Sequence, residues 1–254
     1  MRSHIRPPGR SLVLVPGVTT PQIEAGIALV VLVPLAAVAG LWVAPGQPAI
    51  ALTAAGLALA GGAVIVMLLA QHYPHPRLGL CNLVTLTRLI GVAILAALVT
   101  APGIWRGDEA AAWAGLMIAG AVLALDGVDG WAARRAALES RFGARFDMEV
   151  DAALALVLAL LAWQSDKVGV WVLALGAMRP VFALAALRWR WLACPLPEGL
   201  LRKGVCVVQI GTLTALLAPV VMPPLAQWLA AGALAMLLAS FARDTLWLWR
   251  RGAR

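Results

Sequence analysis

Long runs without a single charged residue constrain the fold of this chain most. Residues 25–43 and 49–70 contain no Asp, Glu, Lys or Arg. Each run is long enough to cross the roughly 30 Å hydrocarbon layer of a bilayer as an α-helix. Of all residues, 62% are hydrophobic and only 13% are charged, which is more apolar than a soluble domain of this size. We therefore predict an all-α, polytopic membrane protein rather than a soluble helical core.

Apolar segments recur along the whole chain and predict about eight transmembrane helices. Short turn-like stretches, such as APGQP at 44–48 and QSDK at 164–167, separate several of them and imply antiparallel neighbours. The linker QHYPHPRLGL at 71–80 contains two prolines and divides the first two spans from the other six. The predicted spans are residues 24–43, 49–70, 82–101, 110–135, 143–164, 168–187, 204–222 and 224–247.

The first span has a second interpretation as a cleaved signal peptide. AVAG at 37–40 resembles the small-residue site at which such peptides are cut. The apolar run is longer than the apolar region of a typical signal peptide, and it begins only near residue 25. We therefore expect a transmembrane helix.

The distribution of Lys and Arg predicts the orientation. One set of loops and tails is rich in cations, whereas the opposite set contains only Arg106 and Lys167. Basic loops stay on the cytosolic side, so both termini are predicted there, in an inner or plasma membrane of the bacterial type. The net charge of +8 thus reflects topology, and we expect no nucleic-acid partner. The basic set comprises Arg2, Arg6, Arg10, Arg77, Arg141, Arg188, Arg190, Arg202, Lys203, Arg250, Arg251 and Arg254.

The stretch DGVDGWAARRAALESRFGARFDMEVD, residues 126–151, interrupts this apolar pattern with four aspartates. Asp126 and Asp129 are three residues apart near the end of the fourth span, and Asp147 and Asp151 are four apart near the start of the fifth. Each spacing places two carboxylates on one helix face. An antiparallel hairpin folded near residue 138 would bring the pairs level, roughly 12–20 Å from the turn. The cluster is therefore predicted near the cytosolic edge of the membrane.

Four carboxylates in a region of low dielectric constant repel one another and require neutralisation by protons or cations. Ligands that are all oxygen favour a hard divalent cation, and four of them have the capacity for two ions. Two such ions a few ångströms apart commonly support displacement at phosphorus. We therefore predict a site for Mg²⁺ or Mn²⁺, with two ions bound.

Small residues accompany the aspartates on the same helix faces. Gly127, Gly130 and Ala133 lie in the fourth span, and Gly143 begins the fifth. They leave room for a ligand to approach the backbone, although each alone is equally consistent with close helix packing. Arg134 adds a cation that suits phosphate oxygens.

With these residues in place, the stretch resembles the signature of the CDP-alcohol phosphatidyltransferase family, D-x2-D-G-x2-A-R-x8-G-x3-D-x3-D. The resemblance implies a six-helix core over about residues 78–250. We accordingly expect residues 1–77 to form an N-terminal extension with two transmembrane helices and residues 78–254 to form the six-helix domain. The matching positions are Asp126, Asp129, Gly130, Ala133, Arg134, Gly143, Asp147 and Asp151.

The resemblance implies transfer of a phosphatidyl group from CDP-diacylglycerol, or a similar CDP-linked lipid, to an alcohol with release of CMP, as in phospholipid biosynthesis. By that analogy Asp126, Asp129 and Asp147 hold the metal ions, and Asp151 shares one and accepts the proton of the attacking hydroxyl. NLVTLTR at 82–88 resembles the start of the family's first core helix, N-x-x-T-x-x-R, and supplies Asn82, Thr85 and Arg88. The implied nucleotide pocket comprises Asn82, Thr85, Gly130, Ala133, Arg134 and Gly143.

The acceptor alcohol is less clearly indicated. The family often has a basic residue in its fourth core helix, which Arg179 matches, and a GKxKT-like segment before the fifth. RKGVCVVQ at 202–209 keeps Lys203 of that segment but has Val205 and Cys206 in place of Lys and Thr.

A group of cations near these helices suits a phosphorylated acceptor such as glycerol 3-phosphate or inositol phosphate. This pattern favours a reaction like that of phosphatidylglycerophosphate synthase. The same cations could instead contact anionic lipid headgroups of the cytosolic leaflet. The group comprises Arg179, Arg188, Arg202 and Lys203. The resemblance also implies a homodimer.

Three alternatives stay open from the sequence. An aspartate-rich prenyltransferase also uses Mg²⁺ and paired acids, but carries them on well-separated helices. A cation transporter would not need Gly130, Ala133 and Arg134 at their observed spacing, and would be indifferent to CDP and CMP. A non-catalytic relative would explain Val205 and Cys206, yet all eight signature positions are present.

Overall fold

The computed structural model describes residues 19–106, 109–136, 140–194 and 199–252, and side chains within them except at 105–106, 128–136, 141, 193, 200 and 251–252. These ranges are all helical, with short connections. The predicted all-α class is therefore confirmed. The eight α-helices are α1 Thr20–Val43, α2 Pro48–His72, α3 Gly79–Val99, α4 Glu109–Ala136, α5 Arg141–Gln164, α6 Leu173–Arg188, α7 Leu200–Leu217 and α8 Leu225–Gly252. Short 3-10 helices lie at Pro102–Arg106, Val170–Val172 and Arg190–Ala193.

All eight predicted spans coincide with helices. The largest difference is at α7, which was expected at residues 204–222. Its helix begins earlier because Arg202 and Lys203, which suggested a loop, occupy its first turn. It ends at Leu217 because Ala218 precedes a proline and adopts an extended ψ of 127°.

Six helices over the described residues are long and apolar enough to cross a membrane. They support the prediction of an integral membrane protein. The other two long helices, α5 and α7, carry charges in their N-terminal turns, and several of these charges belong to the candidate site below. The six candidate spans are Thr20–Val43, Pro48–His72, Gly79–Val99, Glu109–Gly127, Val170–Arg188 and Leu225–Arg250.

Helix α3 lies at the centre of the protein. It packs against α1, α2, α4 and α5. Over the most apolar 18-residue stretch of α3, 61% of the residues are buried, compared with 22% in the corresponding stretches of α1 and α2. The outer helices accordingly expose large apolar side chains such as Val30 and Leu52, as expected for surfaces that face lipid. A polar side chain on the buried side of α3 is therefore surrounded by protein rather than by lipid.

The expected tight hairpin of α4 and α5 takes a different form. Over the described parts of both helices, α4 and α5 each pack on α3 and on α7 rather than along each other. Residues 137–139 of the expected turn lie outside the described residues. The two acidic helices are therefore brought together through α3.

Polar side chains join the helices at the end of the molecule opposite to the aspartates. Gln164, at the end of α5, donates to Val99 O of α3 at 2.9 Å. Lys167 Nζ donates to the carbonyls of Leu216 and Ala218 at 3.1 and 2.6 Å, where α7 ends. These bonds satisfy carbonyl groups that a helix end leaves without partners.

Close packing of α5 against α6 depends on Gly176. A Cβ atom there would lie 2.6 Å from Leu156 Cα and 2.8 Å from Ala155 O. Because backbone must move to relieve this clash, we expect Gly176→Ala to destabilise the protein by about 1–3 kcal/mol. Thermal unfolding in detergent measures the effect. Gly232→Ala on α8, where a Cβ meets nothing within 4 Å, is the control and should unfold no earlier than the wild type.

Candidate metal and nucleotide site

The centre of the site is Arg88, an arginine in the middle of α3 whose side chain is only 1% exposed. Its Nη1 lies 2.9 Å from Asp126 Oδ1 on α4. The same nitrogen donates to Asp147 Oδ1, and Nη2 donates to Asp151 Oδ1, both on α5. One buried guanidinium therefore connects three carboxylates from two helices.

These three carboxylates form a compact group. One oxygen from each of Asp126, Asp147 and Asp151 lies within 4.8 Å of the other two. The four-residue spacing places Asp147 and Asp151 on one face of α5, as predicted. The sequence-based expectation that acids of the fourth and fifth spans converge therefore agrees with the structure for these three residues.

The charges of this group are unbalanced. Three ionised carboxylates and one guanidinium leave two negative charges in a partly buried site. A hard divalent cation would supply the missing charge, and carboxylate oxygen is the ligand that Mg²⁺ and Mn²⁺ prefer. The donor set therefore fits a divalent metal ion.

The side chains of four residues predicted for the site lie outside the described part of the structure. They all belong to the last part of α4, whose backbone is helical to Ala136. They are Asp129, Gly130, Ala133 and Arg134.

Residues proposed for nucleotide binding lie beside the acids, at the start of α3. Asn82 and Thr85 are 3% and 4% exposed. They precede Arg88 at intervals of three residues, so the three side chains lie within an arc of about 120° on the helix surface. A Cβ atom at Gly143 would lie 3.1 Å from Asn82 Oδ1. Glycine therefore lets α5 approach Asn82 closely.

Ser140 sets where α5 begins. Its Oγ accepts a hydrogen bond of 2.9 Å from the backbone nitrogen of Gly143 and caps the helix. This cap fixes the first turn of α5, one turn before Asp147.

The residues predicted for the acceptor divide into two groups. Arg179 on α6 lies 3.9 Å from Glu149, and Arg202 on α7 lies 3.0 Å from Asp244 on α8. The charges of Asp151, Arg179 and Arg202 all act on the Cys206 thiol of α7. These three charged residues therefore lie near the same thiol. Two further cations, at the end of α6 and the start of α7, are exposed; they are Arg188 and Lys203.

Arg88 is the site residue whose role sequence reasoning missed. It was recognised as part of the N-x-x-T-x-x-R pattern but given no function. A charged residue in the middle of an apolar span is costly and therefore signals a functional partner. Its three-residue spacing from Thr85 also placed it on the correct helix face.

The comparisons with known proteins bear on residues 78–239, which match the model of a family described as CDP-alcohol phosphatidyltransferase. This match covers more than half of the chain. The chain belongs to the CDP-alcohol phosphatidyltransferase family. No curated protein and no solved structure matches it significantly.

Membership of the CDP-alcohol phosphatidyltransferase family supports phosphatidyl transfer in phospholipid synthesis. It implies a CDP-linked substrate and an alcohol acceptor, and the family is known to use divalent metal ions. The acid cluster lies inside the matched region, whereas α1 and α2 precede it. The CDP-alcohol phosphatidyltransferase interpretation is therefore favoured over the prenyltransferase and the cation transporter.

Proposed function

We propose that the protein transfers a phosphatidyl group from CDP-diacylglycerol to a phosphorylated alcohol and releases CMP, in a reaction that requires Mg²⁺ or Mn²⁺. The observation that carries this proposal is the convergence of Asp126, Asp147 and Asp151 within 4.8 Å inside the family's matched region. The fold supplies acids from two helices at one point, as binding of a metal between them requires.

Asp126, Asp147 and Asp151 would hold a divalent ion, and a second ion would also need Asp129. Bound there, the metal would polarise the pyrophosphate of the donor and stabilise the negative charge that leaves with CMP. The two uncompensated negative charges of the described cluster support at least one such ion.

Asp151 is our candidate for the general base. One of its carboxylate oxygens would accept the proton of the acceptor hydroxyl as that hydroxyl attacks phosphorus. Arg88 positions the base, because its two terminal nitrogens bind Asp147 and Asp151 and turn both towards Asp126. A forked guanidinium holds two carboxylates in a defined geometry, which lysine does not do.

The nucleotide of the donor would bind at the start of α3 and α5. Asn82 and Thr85 offer polar groups there, and the absence of a side chain at Gly143 lets the first turn of α5 lie close to Asn82. Gly130, Ala133 and Arg134 would complete the pocket, with Arg134 facing phosphate. This division of roles rests on the family signature.

The acceptor would bind between α6 and α7. Arg179 and Arg202 are the cations whose charges reach the region around Cys206 and Asp151, and both suit a phosphate group. Arg188 and Lys203 would contribute at longer range. This arrangement supports an acceptor such as glycerol 3-phosphate, the acceptor of a phosphatidylglycerophosphate synthase-like reaction.

We place the site at the cytosolic face, with both termini in the cytosol, because the basic loops gather on that side. A cytosolic opening suits a water-soluble product such as CMP. We propose residues 78–254 as the catalytic domain and residues 1–77 as an addition to it. We also propose a homodimer, by analogy with the family.

A panel of acceptors tests this function. Purified protein in detergent receives labelled CDP-diacylglycerol, Mg²⁺ or Mn²⁺, and one of glycerol 3-phosphate, inositol phosphate, inositol, serine or phosphatidylglycerol. We expect CMP release with a phosphorylated acceptor. Release only with an unphosphorylated alcohol would contradict the acceptor assignment, and failure to bind CDP would contradict the transferase itself.

Loss of Arg179 should act on the acceptor specifically. We expect Arg179→Gln to raise the KM for a phosphorylated acceptor by roughly tenfold or more, since a charged hydrogen bond contributes about 1.5–3 kcal/mol. The KM for CDP-diacylglycerol should stay near that of the wild type. Steady-state kinetics with each substrate varied in turn measures both. Arg243→Gln, which removes an exposed cation paired with Asp244 at 3.2 Å, should leave both values unchanged.

A further inference from the structure

The segment that joins the N-terminal helices to α3 forms hydrogen bonds with a candidate nucleotide-binding residue. Tyr73 follows the end of α2, and its hydroxyl donates to Leu78 O at 2.7 Å. Asn82 Nδ2 donates to the same hydroxyl at 2.9 Å and to Leu78 O at 2.6 Å. The amide group of Asn82 is therefore held on its NH₂ side by Tyr73 and Leu78.

The other side of the same amide faces α5. Asn82 Oδ1 lies where a Cβ at Gly143 would be 3.1 Å away. Because both hydrogen atoms of Nδ2 are engaged by Tyr73 and Leu78, the amide is fixed with its oxygen towards the first turn of α5. That turn is part of the nucleotide pocket we propose.

Helix α1 also binds Leu78, through the backbone nitrogen of that residue. Glu24 Oε2 accepts a hydrogen bond of 2.7 Å from the backbone nitrogen of Leu78. Gln22 Nε2 donates to Val66 O at 3.0 Å and so ties α1 to α2. The carbonyl oxygen of Leu78 accepts hydrogen bonds from both Tyr73 and Asn82. Leu78 is thus itself held in place by the N-terminal helices.

A small hydrophobic cluster, separate from the main core, surrounds these bonds. It contains Ala25 of α1, Leu69 of α2 and Leu78, which are 0%, 1% and 5% exposed. The ring of Tyr73 packs edge-on against Phe142 of α5, with ring centroids 5.9 Å apart. Burial raises the pKa of Tyr73 to about 12, so its hydroxyl keeps its proton at neutral pH.

We propose that Tyr73 and Glu24, both in the two-helix N-terminal addition, position Asn82 for binding of the CDP group of the donor. This inference rests on the proposed function. It gives the addition a role in the reaction, although α1 and α2 lie outside the region that matches the family. Both are positioning residues that act through Leu78 and Asn82.

Binding of CDP to the full-length protein, by calorimetry in detergent with Mg²⁺, tests the proposal. Tyr73→Phe keeps the ring and removes the hydroxyl, and we expect it to weaken CDP binding about five- to tenfold with little change in kcat. Glu24→Leu, which removes the oxygen that accepts from the backbone nitrogen of Leu78, should weaken it in the same direction. Thr87→Val, which removes a hydroxyl of α3 that donates to Leu83 O, should bind CDP as the wild type does.

A double-mutant cycle separates positioning from general stability. If Tyr73 acts through Asn82, then Tyr73→Phe combined with Asn82→Ala binds CDP no more weakly than Asn82→Ala alone. Effects that multiply, or a Tyr73→Phe protein that binds CDP normally, would overturn the inference and leave the proposed function standing. A wild-type protein that does not bind CDP would overturn both.

Discussion

Replacing Asp151 with asparagine is expected to lower the kcat of CMP release by roughly 10²–10⁴-fold, the usual contribution of a general base. Asparagine has almost the same shape but cannot accept the proton of the attacking hydroxyl. Asp126 and Asp147 remain, so binding of CDP should persist. The expected result is therefore a loss of turnover that greatly exceeds the loss of donor affinity.

Turnover with saturating acceptor and calorimetric CDP binding on the same preparation check this prediction. Asp166→Asn makes the same chemical change in the loop after α5, beyond the far end of the helix, and should keep full activity. A mutant at Asp151 that retains more than a tenth of wild-type kcat would remove Asp151 from the role of base. Another carboxylate of the cluster would then be the candidate.

Replacing Arg88 with methionine is expected to destabilise the protein strongly. The side chain is nearly fully buried and forms ion pairs with three carboxylates. Removal of one partner from a buried ion pair costs about 3–5 kcal/mol, because the other charge is left uncompensated. At about 2–4 °C per kcal/mol for a chain of this size, we expect Tm to fall by roughly 6–20 °C.

Divalent ions should partly reverse this loss, because they supply positive charge to the same carboxylates. Thermal unfolding of Arg88→Met in EDTA and in MgCl₂ or MnCl₂ measures the recovery, with Arg243→Met as the control for an exposed arginine. We expect the ion to raise the Tm of the Arg88 variant more than that of the wild type. A variant as stable as wild type in EDTA would mean that Arg88 is not the internal counter-ion of the cluster.

Much of the architecture could be predicted because each signal was local. Uncharged runs such as 25–43 mark helices by length alone, and prolines and short polar turns mark their ends. The i, i+4 spacing of Asp147 and Asp151 placed both on one face before any tertiary contact was known. Helix boundaries differed most at α7, where charges begin the helix rather than precede it.

The remaining features depend on which helices pack together, and no local pattern contains that information. Spacing alone suggested that α4 and α5 pair directly, whereas both pack on α3. For the same reason Arg88 could be recognised as unusual but not assigned to the aspartates 59 and 63 residues away. The bond from Leu78 to Glu24 joins residues 54 positions apart, and only the fold reveals it.

The structure shows the surroundings of the two residues on α7 that depart from the family pattern. Cys206, where the family's segment would have threonine, lies within reach of the charges of Asp151, Arg179 and Arg202. Val205 is partly buried against the hydrophobic core. The substitutions therefore fall where we propose that the acceptor binds and leave the acid cluster unaltered, so we expect them to bear on which alcohol is used.

The most direct test of the central claim is the metal dependence of CMP release from CDP-diacylglycerol. Protein treated with EDTA and freed of it should release no CMP until Mg²⁺ or Mn²⁺ is added, and Asp126→Asn should require a higher ion concentration for half-maximal release. Release that continues in EDTA, or an ion dependence that Asp126→Asn leaves unchanged, would contradict a metal site built by Asp126, Asp147 and Asp151.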